Sequence, residues 1–162
     1  MTLLQAIEAI PEENDTSFLQ HLDSAVQQLV EKDRFILQES VNERAVTFRL
    51  AIYLQERFPD WHVDCEYNCW ETSCRAMRQM ITATNAAATE ARTIYPDIVI
   101  HQRGTSRNLA AIEIAKSSSR FGKHQDLKKL RAYKTQMQYQ HAVLLNIGVG
   151  SEIGNDKVEV VG

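Results

Sequence analysis

Two apolar segments separated by a turn-forming pentapeptide constrain the fold of this chain more than any other feature. The segments run from Ile94 to His101 and from Leu109 to Ala115, and Gly104-Thr105-Ser106-Arg107-Asn108 between them supplies the Gly, Ser and Asn that tight turns favour. The pattern predicts a β-hairpin with an acid in each arm: Asp97, following Pro96, and Glu113, flanked by Ile112 and Ile114. A carboxylate in an otherwise buried strand costs on the order of several kcal/mol unless something pairs with it. Across a hairpin, two such acids can offer oxygens to one hard divalent cation, Mg²⁺ with Mn²⁺ as its substitute, whose shell water and phosphate oxygens would complete. The plainer alternative makes Asp97 a turn acid and Glu113 an edge-strand charge.

The flanking pattern alternates helix and strand. Thr16 to Val30 places Phe18, Leu19, Leu22, Val26, Leu29 and Val30 at helical spacing, with Asp15 or Thr16 able to cap its start. Ser40-Val41-Asn42-Glu43 has the form of a capping box opening a second helix, which runs through Val46, Leu50, Tyr53 and Leu54 to a stop at Phe58-Pro59-Asp60. In that role Glu43 would be committed to the helix terminus; otherwise its carboxylate is free for a site. A strand is expected over Trp61 to Asn68, a helix over His124 to Gln138 with Leu127, Leu130, Tyr133 and Met137 on one face, a buried strand over Ala142 to Ile147 and an edge strand over Val158 to Val161. Trp70 to Arg92 interrupts the series. Its Thr- and Ala-rich composition predicts a helix over Thr72 to Thr82 and a flexible tip over Thr84 to Thr89, either an excursion that closes over nucleic acid or an insertion without a role. The order predicts an α/β chain with a mixed sheet flanked by helices. Its 162 residues suffice for a single domain, with residues 1–39 as a helical extension and 40–147 as the core.

Several classes are disfavoured. No run approaches the roughly 20 apolar residues that span a bilayer, and Met1 to Ile10 has neither a basic leader nor a cleavage site, so a cytoplasmic location is expected. Cys65, Cys69 and Cys74 are odd in number and spaced for neither a disulfide framework nor zinc, which predicts reduced thiols, with Cys65 and Cys69 packed in the core beside Trp61, Val63 and Tyr67. The five histidines lack metal-binding spacing, and neither a phosphate-binding Gly-x-x-x-x-Gly-Lys loop nor a Gly-x-Ser-x-Gly elbow is present. Charge is uneven: residues 1–60 hold eleven acids against five basic residues, and residues 101–134 hold nine basic residues against two acids. The basic stretch would attract a phosphate backbone; a solvated helix face is the equal alternative.

Taken with Glu43-Arg44 on the upstream helix, Asp64-Cys65-Glu66-Tyr67-Asn68 on the intervening strand and Asp126-Leu127-Lys128-Lys129-Leu130 on the downstream helix, the Pro96-Asp97 and Ile112-Glu113-Ile114 segments resemble the PD-(D/E)xK nuclease superfamily over roughly residues 40–147. Within it the chain looks most like small prokaryotic members. The resemblance implies a restriction-endonuclease-like mixed β-sheet flanked by helices, with additional N-terminal helices, and a Mg²⁺-dependent nuclease that hydrolyses phosphodiester bonds, DNA being the expected substrate. It assigns Asp97, Glu113 and the Ile114 carbonyl to the metal, makes Glu43 an auxiliary acid, and gives Arg44, Lys128 and Lys129 to phosphate contact; a homodimer or a partner protein would both suit it. His101 shares the parity of Asp97, which suits a phosphate contact or a supporting role.

One position departs from the family pattern. Lysine is expected two residues after the acid, but position 115 is Ala and the lysine is Lys116. Side chains alternate along a strand, so Ala115 shares the face of Glu113 while Lys116 points the other way. In this superfamily that lysine is thought to polarise the attacking water or stabilise transition-state charge. Three readings stay open: a naturally inactive chain, transfer of the role to Lys116, Lys128 or Lys129, or an engineered Lys-to-Ala change. Ile-Glu-Ile-Ala-Lys-Ser differs from the expected string at one position, which favours loss over migration. In the case of loss the chain would be a non-catalytic module that binds nucleic acid or a protein partner.

Overall fold

A computed structural model describes residues 2, 13–69, 95–118 and 123–162. Helix α1 spans Glu13–Lys32, α2 Arg34–Gln38, α3 Glu43–Arg57 and α4 Lys123–Gln136; strands β1 to β5 span His62–Cys65, Ile98–His101, Asn108–Lys116, His141–Ile147 and Lys157–Val160. The strands form one sheet in sequence order, antiparallel except for the parallel pairing of β3 with β4; among the described residues β1 and β5 are its outer strands, and Thr2 makes an isolated antiparallel bridge to Lys157 of β5. The parallel step requires a crossover, which α4 provides.

The strand period decides which residues meet which helices. Ile98, Ile100, Ala110, Ile112, Ile114, Val143 and Leu145 join one core with Phe18, Leu22 and Leu29 of α1 and Val46, Leu50 and Leu54 of α3. Val99, Ala111, Ala142 and Leu144, of opposite parity, pack on Leu130, Tyr133 and Met137 of α4. The result is a three-layer α/β/α arrangement with a mixed five-stranded sheet, and a β2–β3 hairpin is present; β2 keeps only Ile98–His101 of the expected Ile94–His101 arm, so Asp97 precedes the strand, and Ile94 lies outside the described residues. Its turn closes through Gln102 N donating to Arg107 O at 2.9 Å, with Gly104 at φ +73°. At the β1–β2 end, Asp64 accepts from His101 Nε2 at 2.9 Å and from the Arg103 guanidinium, Nε at 2.7 Å, tying the two strands together.

Several expectations are corrected. Helix α1 starts at Glu13, so Asp15 and Thr16 lie inside it instead of capping it. The cap of α3 is Asn42, whose Oδ1 accepts from Ala45 N at 2.9 Å, so Ser40 and Glu43 form no capping box. The short α2 was not foreseen, and β1 keeps only His62–Cys65 of the expected strand. Cys65 is a free thiol as expected but is exposed, not packed in the core, whereas Cys69 is disulfide-bonded, which overturns the expectation of a reduced thiol there. Cys74 and the whole 70–92 segment lie outside the described residues. Among the described residues, no helix is long and apolar enough to cross a membrane.

Two substitutions check this architecture by chemical denaturation. Leu22→Ala, at a fully buried position of α1, should cost about 2–5 kcal/mol. Asn42→Ala should cost about 1 kcal/mol through loss of the α3 cap, and no change for Asn42→Ala would contradict the cap assignment.

Candidate functional site

Strand β3 is longer than the neighbour that covers it. Pairing with β2 runs as far as Ile98 opposite Ile112 and then stops, while β3 continues to Lys116. Beyond that point no strand among the described residues faces the β3 main-chain N–H groups on the β2 side, and buried donors are seldom left unpaired. Carboxylates take them. Asp97 Oδ2 accepts from Ile114 N at 2.7 Å, and the Glu43 carboxylate, on the first residue of α3, accepts from the Lys116 main-chain N–H.

The same overhang sets the third acid in place. Extending the β2–β3 register by one step sets Asp97 opposite Glu113, and both have the parity of the α4 face. Glu113 is only 3% exposed, and its Oε1 is buried with no hydrogen-bond partner among the described residues. On its other oxygen, Oε2, Lys129 Nζ of α4 approaches to 3.4 Å while also lying 3.1 Å from Asp126 Oδ1. The Tyr133 hydroxyl touches the same carboxylate, and burial followed by the Glu113 and Asp97 charges pushes that phenol far above its usual range.

These acids are uneasy neighbours. Burial, then the charge of Asp97, raises Glu113 well above the ordinary glutamate value, with Lys129 acting in the opposite direction. Burial also raises Asp97 against the Ile114 hydrogen bond and Lys129, and burial followed by the Asp97 charge raises Glu43. Burial opposes the charge on Lys129, but Glu113 and Asp126 outweigh it and hold its ammonium protonated. One cation therefore faces a group of carboxylates that would be more comfortable with additional positive charge.

That imbalance is the test of whether a divalent cation suits the place. Among the described residues the buried Oε1 of Glu113 has no donor, and Asp97, just before β2, is set opposite Glu113 by the extended register. Within a strand residue the N–H and C=O point to the same side, so the Ile114 carbonyl faces the Asp97 side of β3. Two carboxylates and a carbonyl are hard oxygen donors of the kind Mg²⁺ and Mn²⁺ take. Among the described residues, no three His, Cys, Asp or Glu side chains are grouped to hold a metal by side chains alone.

The remaining expected residues are placed as follows. Ala115 is half-buried on the α4 side, packed against the cluster that includes Leu130, Tyr133 and Leu144. Lys116 is on the opposite face, its Nζ donating to Val41 O at 3.0 Å and Ser40 O at 3.2 Å, away from Glu113. Lys128 is exposed on α4, and Arg44, 86% exposed, pairs with Glu66 at 3.3 Å. His101 is buried against Asp64 and Tyr67 instead of opening toward a phosphate. Much of the basic stretch is committed internally: Arg103 to Asp64, Arg107 over the Trp61 ring, Lys116 to carbonyls, Lys129 to the acids and Lys134 to Val161 O. The sequence offers Lys129 as a phosphate contact or as a replacement lysine and Asp126 only as part of the helix motif; the (i, i+3) spacing of Asp126 and Lys129 is the signal for their pairing. No protein-family model, curated protein or solved structure matches the chain.

The raised carboxylates have a consequence for stability. A group whose folded value lies above its unfolded value contributes stability that is complete below the unfolded value and lost as pH rises through the folded one. Thermal unfolding in chelator should therefore show stability that falls as pH rises above the ordinary carboxylate range, where the pairing of Asp64, whose folded value is lowered, is already complete. Glu113→Gln should flatten that slope, and an unchanged slope in this variant would contradict the buried-carboxylate assignment.

Proposed function

We propose that this protein is a divalent-metal-dependent nuclease of restriction-endonuclease-like fold, hydrolysing phosphodiester bonds in nucleic acid, with DNA the expected substrate. The observation that carries the reading is the convergence of Asp97 and Glu113 at the open end of the β2–β3 hairpin, with a lysine ammonium on Glu113.

In this reading Asp97, Glu113 and the Ile114 carbonyl hold Mg²⁺ or Mn²⁺, and Glu43 is the auxiliary acid. The bound cation would polarise the phosphoryl group and acidify water. Asp97 is oriented by its hydrogen bond from Ile114 N, which leaves its second oxygen available. Glu113 brings the donor-free Oε1 and is backed by Tyr133. Lys129 supplies the positive charge that position 115 lacks. Its ammonium is fixed by Asp126 beside Glu113, the arrangement needed to stabilise charge developing on a phosphoryl oxygen. This favours transfer of the lysine's role from the strand to the helix over its loss. Lys116, turned to the other face, is not the replacement. Arg44 and Lys128, both exposed, are the proposed phosphate contacts.

A second reading has one observation in its favour. Ala115 stands where the superfamily has its lysine, which suits a nuclease-fold module that binds nucleic acid or a protein partner without cutting. Incubation of the chain with plasmid and oligonucleotide DNA in Mg²⁺ or Mn²⁺ separates the two. Cleavage should be lost in Asp97→Ala and reduced by about 10²–10³-fold in Lys129→Met. Cleavage that persists without Asp97 would remove the site assignment, and cleavage that arises only after Ala115→Lys would identify a disabled enzyme.

A further inference from the structure

Lys116 is the one lysine of the Glu-Ile-Ala-Lys string, and the catalytic reading leaves it without a task. Its surroundings are specific. From the α3 side of the sheet, its Nζ meets Val41 O at 3.0 Å, Ser40 O at 3.2 Å and Ser40 Oγ at 3.4 Å. An ammonium has three N–H groups, and these three acceptors lie within hydrogen-bond reach of it. Both residues belong to the segment between α2 and α3, and Ser40 has a φ of +49°, a left-handed conformation rare for residues other than glycine. A conformation of that kind persists where surrounding contacts hold it, and the ammonium drawing in two successive carbonyls is such a contact.

The main chain of the same residue makes a second grip. The Lys116 N–H donates to the Glu43 carboxylate, whose charge its ammonium also favours. Glu43 is the first residue of α3, two positions after Val41, and Asn42 rather than Glu43 caps that helix. Lys116 thus holds the start of α3 by its side chain and the Glu43 carboxylate by its backbone.

We infer that Lys116 is a positioning residue that clasps the α2–α3 segment to β3 and thereby fixes Glu43 against the Asp97–Glu113 site. The inference rests on the metal-site reading for its functional consequence and on the hydrogen bonds alone for the clasp. Removing the side-chain grip lets the start of α3 move away from β3, and Glu43 with it. The grip acts through Glu43, so its effect on the site disappears once Glu43 can no longer contribute.

The test is Mn²⁺ affinity of the full chain, read from the electron paramagnetic resonance signal of free Mn²⁺, together with amide hydrogen exchange in chelator. Lys116→Met should weaken Mn²⁺ binding by about 10-fold or more, the usual scale for outer-shell partners of metal ligands, and Lys116→Arg should restore most of it. In a Glu43→Gln background, Lys116→Met should weaken Mn²⁺ binding no further. Exchange over residues 40–47 should rise in Lys116→Met while residues 50–57 keep their protection. Unchanged affinity in Lys116→Met, or independent losses that multiply in the double variant, would overturn the role in positioning Glu43. Failure of the wild-type chain to bind Mn²⁺ would sink the metal-site reading, and exchange then decides the clasp: increased exchange over 40–47 upholds it, and unchanged exchange overturns it.

Discussion

The feature on which the rest of this structure depends is the length by which β3 outruns β2. Where the hairpin ladder stops, the Ile114 and Lys116 N–H groups face a side with no partner strand among the described residues, and Asp97 and Glu43 satisfy them with carboxylates. Ordinary backbone accounting thus draws two acids to one place. Glu113, immediately before the first of those two N–H groups, turns the place into a site because its side chain enters the layer under α4 and is buried with one oxygen unpaired among the described residues.

Burial determines the electrostatics of that place. The shifts of Glu43, Asp97 and Glu113 are all upward, and in each the first cause is removal from water. Mutual repulsion adds to it, and Lys129, held from α4 between Asp126 and Glu113, is the internal cation that partly offsets both. A binding site for a divalent ion has this character before the ion arrives: anionic oxygens constrained by the fold and short of positive charge. The folded chain accepts that electrostatic cost where a purely structural strand would carry an aliphatic residue at position 113.

Local patterning in the sequence revealed what local physics controls. Strand alternation placed Glu113 and Ala115 on one face and Lys116 on the other, and the apolar spacing of Phe18, Leu22, Val26 and Leu29 revealed α1, because each follows from backbone period and burial. What escaped depends on partners distant in the chain or on competition between similar local signals. Ser40 and Asn42 are both residue types that suit an N-cap, and in the fold it is Asn42 that accepts from Ala45 N. Cys65 has the parity of Val63, but β1 is an outer strand among the described residues and its end is open to solvent. The sequence offers Lys129 as a phosphate contact and as one of three candidates for the missing lysine's role without choosing among them, and only the packing of α4 on β3 brings it to a carboxylate sixteen residues earlier. The basic count of residues 101–134 likewise overstated the free positive surface, since several of those side chains are spent on internal partners.

The central claim is that Asp97 and Glu113 offer their oxygens to one cation. Anomalous diffraction from crystals grown with Mn²⁺ tests it most directly. The account predicts a single strong anomalous peak between the Asp97 carboxylate and Glu113 Oε1, within coordination distance of the Ile114 carbonyl. Occupied Mn²⁺ elsewhere on the molecule with no peak between those two carboxylates would contradict it.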